Sequence, residues 1–186
     1  MSPPMLVKGT SVRTILLAIE RGFGAEGLAR VKSVLPDDVR RQVDVPALAS
    51  KTYPVEVSAA LHDAIRSELG RGSLVANRKV GIEAARIDFG GVYSVFLRFR
   101  DYESLLRGLE RAWLQYNSRG SVRWEDVAGD HTRGTIEGVD GFNEGMWHSI
   151  AGRLETILIL AGAKKSSVLV DAWSPQHVAF TVRWTR

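Results

Sequence analysis

The sequence predicts an α+β fold in which an N-terminal helical half is followed by ββαββ, giving a four-stranded antiparallel sheet packed against helices. Three observations carry this reading. Apolar residues recur at helical spacing before Gly120, the period switches to alternation after it, and one long amphipathic stretch separates two alternating pairs. Hairpin-linked strands are antiparallel, and the long helix must bury its stripe on their sheet.

Taken in order, the first dozen residues, with Pro3 and Pro4, read as a loose start. From Val12 the residues Val12, Ile15, Leu16 and Ile19 share one helical face, with Thr10 or Ser11 available as a cap. A glycine-marked stop at Gly22 to Gly24 then precedes a second short helix from about Ala25 to Ser33. Pro36 followed by Asp37 and Asp38 opens another helix, because acids suit the positive end of the helix dipole. After a turn-like stretch from Asp44 to Pro54, the set Val57, Ala60, Leu61, Ala64 and Ile65 predicts a helix closed by Gly70. Residues 72–88 have weaker periodicity but good helix formers. The apolar stretch Val92 to Phe99, set off by Gly90 and Gly91, reads equally as strand or buried helix.

A helix opened by Asp101 and Tyr102 places Leu106, Leu109, Trp113 and Tyr116 on one face and closes near Gly120. Val122 and Trp124 then alternate with charged residues, and a turn at Gly129 and Asp130 leads into a strand from Arg133 to Val139. Residues 143–162 carry the long apolar face of Met146, Trp147, Ile150, Leu154, Ile157, Leu158 and Ala161. Two final strands follow, marked by Val168, Val170 and Ala172, and by Val178, Phe180, Val182 and Trp184, joined through Ser174-Pro175-Gln176. One domain over residues 7–186 is expected, since a cut near Gly120 would leave the ββαββ half with a thin core.

The 186 residues include 25 basic and 21 acidic side chains and no cysteine, with an apolar fraction of 45%. Absence of cysteine excludes thiolate metal sites, iron–sulfur clusters and cysteine nucleophiles. The net charge of +4 is dispersed along the chain, which favours a solvated surface over a nucleic-acid interface. The longest apolar run, Thr156 to Gly162, is too short to span a bilayer, and no charged-then-apolar leader is evident, so no membrane span and a cytoplasmic location are expected.

Catalytic motifs are weak. Gly22-Phe23-Gly24-Ala25-Glu26-Gly27 has the spacing of a dinucleotide-binding loop, but it follows a helical rather than a strand pattern. His62, His131, His148 and His177 contain no ligand-spaced pair, although His148 could in principle serve as an axial haem ligand. The acidic neighbours Asp37-Asp38 and Glu125-Asp126 point apart on a helix or a strand, so neither forms an acid–base couple. Large aromatics on the apolar segments, Tyr93, Phe96, Phe99, Trp113, Tyr116 and Trp147, fit either core packing or the lining of an apolar ligand cavity.

Val7-Lys8-Gly9-Thr10, Phe23-Gly24 with Gly27, Leu35-Pro36, Leu48-Ala49-Ser50, Tyr53-Pro54, Val92-Tyr93, Phe96, Trp113, Tyr116 and Gly120 occur in an order that resembles a paralogous domain of unknown function expanded in myxobacteria. That family is similar in turn to 4-vinyl reductase and haem-nitric-oxide-binding domains and to small subunits of the TRAPP tethering complexes. The resemblance implies a helical half followed by ββαββ and a ligand-binding or protein-interaction module, often dimeric, rather than a catalyst. Two departures stand out. The ending Val178-Ala179-Phe180-Thr181-Val182-Arg183-Trp184 lacks the cysteines of many vinyl-reductase-type domains, and Tyr116-Asn117-Ser118-Arg119 has its arginine one residue early for the Tyr-x-Ser-x-Arg haem-propionate motif.

The resulting expectation is a non-enzymatic sensor or signalling adaptor that needs no metal or cofactor. It would hold an apolar or lipid-like small molecule in a pocket lined by Tyr93, Phe96, Trp113 and Trp147. The alternative is a protein-interaction or homodimerisation module without ligand, and a haem-based gas sensor comes third.

Overall fold

The computed structural model describes residues 4–45, 50–90 and 101–185. Its helical half comprises β1 (Leu6–Lys8), α1 (Gly9–Ser33), α2 (Asp37–Asp44), β2 (Thr52–Pro54), α3 (Val55–Glu68), α4 (Val75–Phe89) and α5 (Tyr102–Tyr116). The second half is β3 (Ser121–Ala128), β4 (His131–Glu137), α6 (Glu144–Leu160), β5 (Lys165–Ser174) and β6 (His177–Thr185). The helical half followed by ββαββ is the order that the periodicity predicts. Its four-stranded sheet runs β3-β4-β6-β5 and is antiparallel throughout. The apolar stretch Val92 to Phe99 lies outside the described residues.

The start of the chain is more ordered than its sequence suggests. β1 pairs antiparallel with β2, so the loose start and the turn-like stretch before Pro54 form a two-stranded ribbon. Helix α1 leaves this ribbon directly at Gly9, whose N–H donates to the Lys51 carbonyl at 2.7 Å. Lys8, rather than Thr10 or Ser11, is therefore the N-cap, and no side chain caps the helix. The expected stop at Gly22 is a kink inside α1: Gly24 takes φ +75°, which only glycine adopts readily, and the helix resumes to Ser33.

Helices α4 and α6 cross at backbone contact. A Cβ at Gly81 would overlap the Ser149 carbonyl, and one at Gly152 would overlap the Arg78 carbonyl. The buried face of α4 is built from Ala76, Asn77, Val80, Gly81, Glu83, Ala84 and Ala85, which explains its faint apolar period. On α6, the Asn143 side chain caps the helix by accepting from Met146 N at 3.0 Å and donates to Ala59 O and Asp63 Oδ1, each at 2.8 Å, tying α6 to α3. Glu155 joins α6 to α4 and β5 by accepting from Arg78 Nε at 3.1 Å and from Val168 N at 2.9 Å.

The inner sheet face follows from the register. Trp124, Gly134 and Phe180 lie side by side on β3, β4 and β6, and a Cβ at Gly134 would collide with the Trp124 ring that crosses it. Val178, Phe180, Val182 and Trp184 are all buried, as their alternation predicts. The companion stripe on β5 holds only at its start. A bulge between Val170 and Ala172 shifts the register, leaving Val168 buried, Val170 half-buried and Ala172 exposed.

Candidate functional site

The expected pocket residues divide three ways. Tyr93 and Phe96, like Phe99, lie outside the described residues. Trp113 is half-buried on α5, and Trp147 is sealed on α6. Tyr116 is exposed rather than part of the apolar face of α5.

Trp113 and Trp147 do belong to one cluster, through a residue that the sequence reading did not single out. Phe142 stacks on Trp147 with centroids 4.4 Å apart and an interplanar angle of 24°, and lies 6.1 Å from Trp113. Phe142 immediately precedes the Asn143 cap, and Trp147 is the fourth helical residue after it, which is the pairing of a hydrophobic staple. An apolar residue before an asparagine cap was the signal that could have found it.

Hydrogen bonds fix the two indoles. Trp147 Nε1 donates to the Ser174 carbonyl and Trp113 Nε1 to the Arg119 carbonyl, both at 3.0 Å. Gly120, at φ +96°, lets the chain turn beneath Trp113, where a Cβ would crowd that indole nitrogen. The row thus runs from sealed Trp147 through buried Phe142 to a half-buried Trp113.

The histidines are dispersed. His62 is fully enclosed on α3, and its Nδ1 accepts a hydrogen bond from Asn77 Nδ2 at 3.1 Å. Burial, together with the nearby Arg153 guanidinium, lowers its pKa to about 3. His148, half-buried on α6, is also lowered, chiefly by burial and then by Arg78, against an upward pull from Glu144. His131 pairs with Asp130 at the exposed β3–β4 turn, and His177 begins β6.

The other candidates have structural roles. Gly22 to Gly27 lies inside α1, so it is no phosphate loop, and Asp37 and Asp38 open α2. The segment following α5 is committed to β1. Ser118 N donates to Leu6 O and Leu6 N donates to Ser118 Oγ, both at 2.9 Å, while Asn117 bridges to Val7.

No family model matches the chain, and no curated protein matches it in sequence. Among solved structures it is similar to an oxygen-binding H-NOX domain related to soluble guanylate cyclases (TM-score 0.70, 14% identity, 96% of this chain and 95% of that one). It is similar also to the Fe(II) unliganded H-NOX protein from K. algicida (TM-score 0.69, 9% identity, 96% and 97%). A Cs H-NOX carrying 4-cyano-L-phenylalanine gives a TM-score of 0.71 at 14% identity, covering 96% and 97%. The chain therefore shares the fold of H-NOX domains along nearly its whole length.

Proposed function

We propose that this protein is a non-enzymatic sensor or adaptor domain that binds an apolar small molecule against the aromatic row of Trp113, Phe142 and Trp147. The observation that carries this reading is the row itself, sealed at Trp147 and open at Trp113, in a fold shared with ligand-binding domains. Covering Trp113 with an apolar ligand removes both surfaces from water.

Among the described residues, the best-enclosed histidine does not fit a haem ligand. Because His62 Nδ1 accepts from Asn77, the neutral ring carries its proton on Nε2 and has no lone pair free for iron. His131 is held by Asp130 at an exposed turn, and His148 lies on a flank shared with Arg66, Arg78 and Glu144. The Tyr116 to Arg119 segment, which most resembles a propionate motif, has Ser118 engaged with β1 and Tyr116 exposed.

Native mass spectrometry tests the proposal. Protein purified from its own host should carry a discrete adduct that is lost on denaturation. Trp113→Ala should lower adduct occupancy more than it lowers the urea midpoint. Equal losses in both would reduce Trp113 to a packing residue.

A second reading, homodimerisation, is favoured by one feature. β5 is an edge strand, and Leu169 and Trp173 on it are exposed. Sedimentation across a concentration range, repeated with Leu169→Lys, tests it, and a monomer at all concentrations refutes it.

A further inference from the structure

Strand β5 is a free edge of the sheet, yet at Val168 its outward backbone groups are already taken. Val168 N donates to Glu155 Oε1 at 2.9 Å, and the Val168 carbonyl accepts from Arg78 Nη2 at 2.5 Å. The two side chains also hold each other, with Arg78 Nε donating to Glu155 Oε2 at 3.1 Å and Nη2 to Glu155 Oε1 at 2.5 Å. The pair thus offers Val168 the acceptor and the donor that a neighbouring strand would offer.

Register confirms that these groups point away from the sheet. Trp184 N of β6 donates to Asp130 O, on the β4 side, so Val182, two residues earlier, also turns its backbone toward β4. Its partner on β5 is Val168, whose N–H and C=O therefore face outward. The opposite edge is guarded in the same manner: Trp124 N of β3 donates to Glu110 Oε1 at 3.2 Å, and a register shift follows between Glu125 and Ala128. Unpaired edge groups are a template for a further strand, and folded sheets cover them.

Beneath its guard β5 is self-complementary. A second β5 laid antiparallel about a two-fold axis at Val168 sets Lys165 opposite Asp171 of the second copy, and Ser167 opposite Leu169. Lys165, Leu169 and Asp171 are exposed on the outer face, where Asp171 Oδ2 accepts from Thr181 Oγ1 at 2.7 Å and Thr181 pairs with Leu169. The axis repeats the Lys165–Asp171 pair on both sides. Ser166 and Val170 turn their backbones outward by the same alternation, and the bulge begins only after Val170.

We propose that the Arg78–Glu155 pair is an autoinhibitory latch on β5, and that its release lets β5 pair with β5 of a second copy of this chain about Val168. This rests on the homodimerisation reading above and gives that reading its register and its restraint.

Sedimentation equilibrium of the full chain measures the dimer dissociation constant. Arg78→Met combined with Glu155→Met removes both charges together, so that neither is left buried alone. The double variant should dimerise at least about tenfold more tightly, because charge-assisted bonds no longer compete for Val168. Adding Lys165→Asp should abolish that gain by setting like charges opposite each other twice, as should adding Asp171→Lys instead. Mixing those two proteins should restore the dimer. Arg78→Lys keeps the ion pair but gives up the guanidinium fork, and it should tighten dimerisation in the same direction even if the double variant fails to fold. A monomeric wild type beside a dimeric latch variant supports the latch. Equal dissociation constants for wild type and latch variants overturn the latch and leave homodimerisation standing. A tighter dimer indifferent to the charge changes overturns the β5 register. Monomers throughout overturn the proposal and the homodimer reading together.

Discussion

Mild acidification should destabilise this protein through His62. The imidazole is enclosed among α3, α4 and α6, accepts its hydrogen bond from Asn77, and has a pKa lowered to about 3 by burial and by Arg153. A histidine in the unfolded chain takes up a proton near pH 6.5. Between those values the unfolded state holds a proton that the folded state refuses, so stability rises with pH through the window. The contribution is complete above pH 6.5 and is lost as pH falls toward 3. Moving from about pH 7.5 to about pH 5 crosses roughly 1.5 units of that gap, a loss of about 2 kcal/mol at 1.36 kcal/mol per unit. Protonation would also set an Nδ1–H against the Asn77 amide, removing the bond that fixes the ring. Urea unfolding of wild type and His62→Gln at both pH values isolates the effect, because the same-sign shift of His148 is common to both proteins. Wild type should lose about 2 kcal/mol more than the variant on acidification. An equal loss in the two proteins, or an imidazole signal of folded wild type assigned to His62 and titrating near pH 6.5, would refute the reasoning.

Other perturbations probe the frame. Gly81→Ala should cost about 1–3 kcal/mol or more in urea unfolding, because its methyl group meets the Ser149 backbone rather than a movable side chain. Glu155→Ala should cost about 2 kcal/mol by removing the carboxylate partner of Arg78 and leaving the Val168 N–H unpaired, read as a lowered thermal midpoint. Asn143→Ala removes a cap and two ties to α3 and should cost about 1–2 kcal/mol, with an unchanged far-UV dichroism spectrum below the transition. Trp147→Ala should cost about 3–5 kcal/mol, and Trp113→Ala less, since only the first is sealed. Equal costs would mean that the Trp113 face is as enclosed as that of Trp147.

Alternation and helical spacing made the second half legible because burial there is one-sided. The Val178 to Trp184 stripe faces helices on one side only, and any slip in register would expose it. The β1–β2 ribbon was invisible for the opposite reason: three-residue strands are too short to show a period, and their partners lie 44 to 48 residues apart in sequence. Helix α4 showed only weakly because its contact with α6 uses glycine and alanine, which register as neither apolar stripe nor polar face. In the candidate site, Trp113 and Trp147 were named from their apolar surroundings, whereas Phe142 sits in a connection and becomes meaningful only beside its cap. The unmet donors of Trp124 and Trp184 could not be read at all, since whether an indole finds an acceptor depends on contacts distant in sequence.

At 9–14% identity the likeness to H-NOX domains concerns a frame that makes few demands on side-chain identity. What fixes the frame here is antiparallel backbone pairing, a glycine-lined crossing of α4 and α6, and a staple at the start of α6. Such features specify shape and leave the chemistry of the enclosed layer open. In this chain the most haem-like segment, Tyr116 to Arg119, is joined to the first strand, and the best-enclosed histidine has its lone pair in a hydrogen bond. Among the described residues the buried polar atoms without a partner are Thr10 Oγ1, Asn77 Oδ1 and the indole nitrogens of Trp124 and Trp184, while Trp113 stands half-buried at the end of the aromatic row. An apolar row calls for apolar surface and a lone donor calls for an acceptor. The half-buried Trp113 indole already donates to the Arg119 carbonyl, so a molecule covering it need supply only apolar surface.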